Sequence, residues 1–193
     1  MIVLARPVKC PVCGERGQRE DMIYDEKEKR YYHKGDCHNG LLKEREVTRR
    51  ENEQWDALYQ YVIKLHDLVV LPTANIVRFQ DLRAGYTYKN GEKERQWKTG
   101  PGFDLMLEAY KLAEDSIKWC ITNKLDNSND TRSIYYCMGI MINKLNEANE
   151  NRKLRKERES AKLKTTTLDM QITEPEIKEV KIIKDDMDIS SFL

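Results

Sequence analysis

Hydrophobic positions recur at helical spacing through most of the chain. Trp55, Leu58, Tyr59, Val62, Ile63 and Leu65 fall three and four residues apart, laying one apolar stripe on a helix read from Asp36 to His66. Its first part is charged, and Thr48 to Asn52 is its candidate break. Pro72 and the residue before it oppose helical continuation, so Val69-Val-Leu-Pro72 ends this element. Thr73 is suited to cap the next helix, which runs through Asn75, Ile76, Val77, Phe79 and Leu82 and stops at Gly85. Tyr86 to Gly102 is polar, with an Asn90-Gly91 turn between aromatic-bearing flanks. It reads as a small hairpin, with a loop as the alternative.

Helical periodicity returns over Phe103 to Asn123, through Leu105, Met106, Tyr110, Ala113 and Ile117, and pauses at the polar stretch Asp126 to Asp130. From Thr131 a further helix turns Ile134, Met138, Met141, Ile142 and Leu145 inward. The stripe fades after Ala148. Good helix formers with opposite charges at helical spacing carry the same helix on from Asn151 to Lys164.

The N-terminal quarter has a different pattern. Asp21 to Tyr32 holds two short strand-like runs around the polar turn Glu26 to Arg30, which predicts a hairpin. Cysteines and histidines bracket it as Cys10-x2-Cys13-x19-His33-x3-Cys37. Thiolates two residues apart on a tight turn, relaxed here by Gly14, can share one zinc ion, and the hairpin returns the chain to deliver His33 at a strand end. Asp36 is placed as the N-cap of the following helix, whose first turn presents Cys37. His38 rivals His33 as the fourth ligand. Four protein ligands leave no open position, so the expected zinc is structural, and the sparse apolar residues around it make the ion the main source of local folding free energy.

Knuckle, hairpin and helix in that order resemble the treble-clef superfamily, and Tyr32-His33-x3-Cys37 is similar to the aromatic-His-x-x-Cys signature of LIM and PHD fingers. The likeness covers about the first 40 residues of 193 and implies a structural zinc only. Gly102 to Lys111 and Tyr135 to Lys144 resemble the helical module of DnaD-type primosomal proteins. That likeness implies a DNA-associated replication accessory protein of a Gram-positive bacterium or its phage.

Composition narrows the picture. With 9 Gly and 5 Pro in 193 residues, a many-turned sandwich or barrel is excluded. The fold expected is mainly α with a zinc-bound hairpin module at residues 1–50, a small helical domain at 51–148, a basic helical extension at 149–164 and a disordered acidic tail at 165–193. A net charge of +1 excludes a uniformly basic nucleic-acid binder. The charge is segregated, since residues 149–164 hold seven Lys or Arg against three acids, and residues 165–193 hold three against seven. There is no helix-long apolar run and Met1 to Pro7 is too short for a signal peptide's apolar core, so a cytoplasmic protein without membrane contact is expected. In that compartment five cysteines do not make a disulfide framework, and Cys120 and Cys137, within apolar helical stretches, read as core residues.

The candidate nucleic-acid contacts are Arg16, Arg19, Lys29, Arg30 and Lys34 around the finger, Tyr31 for base stacking, and Arg45, Arg49 and Arg50 on its helix. Acidic residues followed by Ile189, Phe192 and Leu193 have the form of a short motif that docks in a protein partner's pocket. No phosphate-cradling loop, nucleophile elbow or catalytic metal helix is visible, and His66 reads as a boundary residue. The function expected is a non-enzymatic DNA-associated adaptor with no small-molecule substrate. Its rival is a protein-binding regulator, such as a phage-encoded modulator of a host complex.

Overall fold

The computed structural model of the chain describes residues 6–89, 91–125 and 130–172, with side chains as far as residue 163. It divides into two units, one ending at Asn149 and the other beginning at Glu150. The first unit opens with β1 (Val8–Lys9) antiparallel to β2 (Arg16–Gly17), then a single 3-10 turn, Arg19–Asp21. The hairpin follows as β3 (Met22–Asp25) and β4 (Arg30–His33), with Met22 opposite His33 and Asp25 opposite Arg30.

Helix α1 (Asp36–Leu65) is continuous, without the break considered at Thr48 to Asn52. Arg49 bonds Glu46 and Glu53 one turn to either side, at 2.7 Å each, and Thr48 Oγ1 donates back to the Glu44 carbonyl, so polar side chains brace the helix there. Its N-cap is Gly35, at φ 87°, rather than Asp36, which takes the first helical position. Likewise α2 (Thr73–Arg83) is capped by Pro72, whose carbonyl accepts from the amides of Asn75 and Ile76, and Thr73 lies inside. Gly85, at φ 94°, ends it as expected.

Strands β5 (Tyr86–Lys89) and β6 (Glu92–Arg95) form the second hairpin, in register Tyr86 opposite Arg95. It is held to the end of α2 by a close backbone approach. Trp97 donates to the Gly85 carbonyl at 3.1 Å and Gly100 to the Arg83 carbonyl at 3.2 Å, and a Cβ on Gly100 would strike the Leu82 carbonyl oxygen. Helix α3 (Phe103–Asn123) has the expected bounds. Helix α4 (Thr131–Asn143) starts at Asp130, whose Oδ1 accepts from Ser133 N at 2.7 Å. The single helix expected from Thr131 onward is instead two. At Lys144 the amide bonds to Met141, three residues back, and this tightened turn separates α4 from α5 (Leu145–Ile172).

The core lies among α1 to α4 and the start of α5. Helix α3 buries Phe103, Met106, Tyr110, Ala113 and Ile117, the three-and-four spacing of one face. Against it lie Leu58 and Val62 of α1, Phe79 of α2, and Ile134, Met138 and Met141 of α4. Trp55 joins two rings of this core, Phe103 at 5.1 Å and Phe79 at 6.1 Å between centroids. Cys120 and Cys137 are buried in it, and burial, with Cys120 beside it, pushes the Cys137 thiol up to about 12. In the second unit α5 presents Lys153, Lys156 and Arg158 to solvent. Ile189, Phe192, Leu193 and the rest of residues 173–193 lie outside the described residues. Among those described, no helix is long and apolar enough to cross a membrane.

His66 is not a boundary residue. It is 1% exposed, and neither ring nitrogen has a hydrogen-bond partner among the described residues. The apolar stripe stops at Leu65, but neighbouring elements close over the helix end. Burial holds the imidazole neutral, down to about 4 from its usual value near 6.5. The unfolded chain therefore takes up the proton first, and the stability this group contributes is complete above about pH 6.5 and lost as pH falls toward about 4. The melting temperature is expected to fall between about pH 7 and about pH 5, with a shallower slope in His66→Leu. An equal slope in both proteins would assign the effect elsewhere. The Tyr110 hydroxyl is also buried without a partner among the described residues. Removing such a group relieves a cost of about 1 kcal/mol or more, so Tyr110→Phe is expected to melt a few degrees higher.

Candidate metal centre

The pairing of β1 with β2 folds the segment between them into a tight knuckle. Cys10 N donates to the Glu15 carbonyl at 2.8 Å, Gly14 N donates back to Cys10 at 3.0 Å, and Gly14 takes φ 76°, a conformation that favours glycine. Strand β4 ends on His33. Gly35 then turns the chain into α1, so Cys37 enters from the first helical turn. The donor atoms of Cys10, Cys13, His33 and Cys37 all lie within 4.8 Å of one another, and Cys13 Sγ is 3.2 Å from His33 Nδ1. Of the two candidate histidines, His33 joins the group. His38, one residue beyond Cys37, does not.

The donors suit a divalent ion of borderline softness. A tetrahedral ion with bonds of about 2.3 Å spaces its sulfurs about 3.8 Å apart, within the spread of the four atoms. Cys10 is fully buried, Cys13 is exposed, and the other two are intermediate. Burial pushes the Cys10 thiol up, but the amides of Cys13, His33 and Val12 aimed at its sulfur outweigh burial and bring it down to about 6. Burial and the two neighbouring sulfurs push Cys37 the other way, to about 11. Backbone N–H groups thus prepare one thiolate, and a cation would offset the mutual repulsion of the others. Gly17 makes room for the imidazole, since a Cβ there would come within 2.9 Å of His33 Nε2.

A second link joins hairpin and helix at the far end of β3. Arg45 of α1 grips Asp25 with both nitrogens, Nη1 to Oδ2 at 2.6 Å and Nη2 to Oδ1 at 2.7 Å. The amide of Glu28 donates to the same carboxylate at 2.8 Å, which closes the hairpin turn. The Arg45 guanidinium, seconded by that amide, holds Asp25 far below the usual carboxylate range. Little in the sequence announces this pair, because it depends on strand register and helix phase together.

The other cations divide into two groups. Arg45, Arg49 and Arg50 all face carboxylates of the same chain: Asp25 and Glu28 for the first, Glu46 and Glu53 for the second, and Glu46 at 3.9 Å for the third. Lys34 donates to the Glu20 carbonyl at 3.3 Å. Arg16, Lys29 and Arg30 are exposed, and Arg19 sits over the Tyr31 ring at 5.4 Å. Beside the knuckle a depression of about 800 Å3 is lined by Lys9, Arg19, Lys29, Arg30 and Tyr31, with no carboxylate among its described lining residues.

The Asp25–Arg45 pair contributes stability above the unfolded carboxylate pKa, about 3.9, and loses it as pH falls below that value, because the folded carboxyl stays ionised longer. Arg45→Met is expected to speed amide exchange across residues 22–33 at neutral pH while α3 and α4 keep their protection. Unchanged exchange in the hairpin would show that the pair holds nothing.

Two comparisons with known proteins yield no match, since no curated protein and no solved structure matches the chain. A family model described as SPbeta prophage protein YorH matches residues 10–191, a span that takes in all four donors and every helix described above. The chain therefore belongs to the SPbeta prophage protein YorH family, and is a phage-associated protein.

Proposed function

We propose that the protein is a non-enzymatic, nucleic-acid-associated adaptor of the phage, built on a treble-clef-like finger with one structural zinc. The observation that carries this reading is the basic depression beside the knuckle, where Lys9, Arg19, Lys29 and Arg30 surround Tyr31 without an opposing carboxylate among the described lining residues. Such a surface neutralises phosphates and offers a ring on which a base can stack. Because Arg45, Arg49 and Arg50 are engaged by carboxylates, the contact falls to the knuckle and hairpin. Zinc supplies folding free energy here, and three thiols with one imidazole fill its usual shell, leaving no position for a substrate. The likeness of the helical middle to DnaD-type proteins favours a role in DNA replication. In the same reading, Ile189, Phe192 and Leu193 of the acidic tail recruit a protein.

A second reading, a protein-docking regulator, draws on one observation: Val12 at 56% and Leu42 at 47% exposure flank a depression that also contains Pro11 on the same module.

Elemental analysis of the purified protein is expected to give one zinc per chain. A folded preparation without metal would remove the ion from the proposal. Fluorescence-anisotropy titrations with single- and double-stranded DNA at two salt concentrations are expected to show salt-steep binding. Lys29→Glu with Arg30→Glu should weaken it at least tenfold and lower the salt slope by roughly one to two. Absence of binding, with a host protein co-purifying, would favour the docking regulator.

A further inference from the structure

A second cleft, of about 610 Å3, opens between α2, the β5–β6 hairpin and α4, well inside the size range of ligand sites. Its apolar floor comes from Met138, Ile140 and Ile142 of α4, and its walls are aromatic: Tyr86 and Tyr88 from β5, Tyr135 and Tyr136 from α4. Arg78 of α2 enters it with Cζ 3.8 Å from the centroid of the Tyr135 ring and 5.5 Å from that of Tyr88. These stacks fix the guanidinium without neutralising it, because no carboxylate pairs with Arg78 among the described residues. Arg132 adds a second cation, Gln96 and Asn143 add amides, and no acid is among the described lining residues. The nearby Asp81 carboxylate is already taken, by the Tyr88 hydroxyl and the Lys93 ammonium.

Gly139 is the second observation. It sits in the interior of α4, where glycine is less favourable than alanine, and a Cβ built on it would meet no atom within 4 Å. Neither packing nor backbone conformation requires glycine at this position. What its bare backbone does is widen the cleft it lines.

We propose that this cleft binds a nucleotide of a single-stranded nucleic acid. The half-exposed Tyr136 offers a ring face to the base, Tyr86, whose ring already carries Lys93 at 4.4 Å, lines the opening, the amides of Gln96 and Asn143 reach the base's polar edge, and Arg78 with Arg132 attracts the phosphate. Rings, amides and two cations, of which Arg132 shares the field of Asp130 and Arg78 has no carboxylate partner among the described residues, match a base joined to an anion better than they match an apolar or acidic peptide. The site is separate from the basic depression beside the knuckle, and each reading can stand without the other.

The test uses the full chain and a fluorescein-labelled oligodeoxythymidylate. Gly139→Leu, whose Cβ meets no atom within 4 Å, projects its side chain into the cleft and is expected to weaken binding at least tenfold while the melting temperature holds or rises. Arg132→Glu and Tyr136→Ala, both at exposed positions, should each weaken it severalfold. Photo-crosslinking with an iododeoxyuridine-substituted strand is expected to label the peptides that contain Tyr86 and Tyr136. Wild-type affinity in all three variants would overturn the proposal, as would crosslinks confined to residues 6–34, which would leave the strand on the finger alone. No binding by the wild-type chain would overturn it as well. Displacement of the strand by thymidine monophosphate at equal nucleotide concentration would overturn it in favour of a free nucleotide.

Discussion

The hairpin Met22–His33 has almost no core of its own, and that shortage governs the N-terminal module. Among the described residues its buried apolar cluster consists of Met22 and Tyr32 with Cys10, and Val8, Tyr31, Cys37 and Leu41 are partly buried around them. A two-stranded hairpin with so little to bury is marginal in water. Two polar clusters stand in place of a core, one at each end of the strands. The four donors gather knuckle, strand end and first helical turn, while Asp25 and Arg45 tie the opposite end to the same helix. The spacing is commensurate: eight residues of helix from Cys37 to Arg45 rise about 12 Å, and a four-residue strand spans about 13 Å.

The helix that receives both anchors also reaches into the main core. Cys37 and Leu58 belong to one uninterrupted α1, and Leu58 and Val62 pack against α3 while Arg45 holds the hairpin. Between them Glu44 to Glu53 is largely solvated, and good helix formers with ion pairs one turn apart keep the backbone helical. Continuity of α1 is therefore a property of its charged middle as much as of its packed ends.

Much of this was legible because the signals were local. The two closely spaced Cys and His pairs, the β5–β6 hairpin and the apolar face from Phe103 to Asn123 each lie within a few turns of chain. The choice of His33 over His38, four residues before Cys37 and one after it, rests on the end of the hairpin's second strand, and His33 is the one that joins the cluster. The features that escaped are those assembled from distant segments. The burial of His66 comes from elements beyond its own helix, so the end of the stripe at Leu65 misled. The tyrosine-lined cleft draws residues from α2, the second hairpin and α4, none of which marks it alone. Asp25 and Arg45 look in sequence like any two members of a mixed charge run, and their pairing needs both the hairpin register and the rotation of α1.

Because α1 is continuous, the solvated stretch between Arg45 and Trp55 sets an angular phase between the knuckle and the core. One residue inserted there would swing the knuckle and hairpin by about 100° around the helix axis and advance them about 1.5 Å, whereas seven would nearly restore the angle and lengthen the spacer by about 10 Å. The number of residues in this spacer thus constrains the chain even where individual side chains touch little, and length variation within it should come in steps close to whole turns.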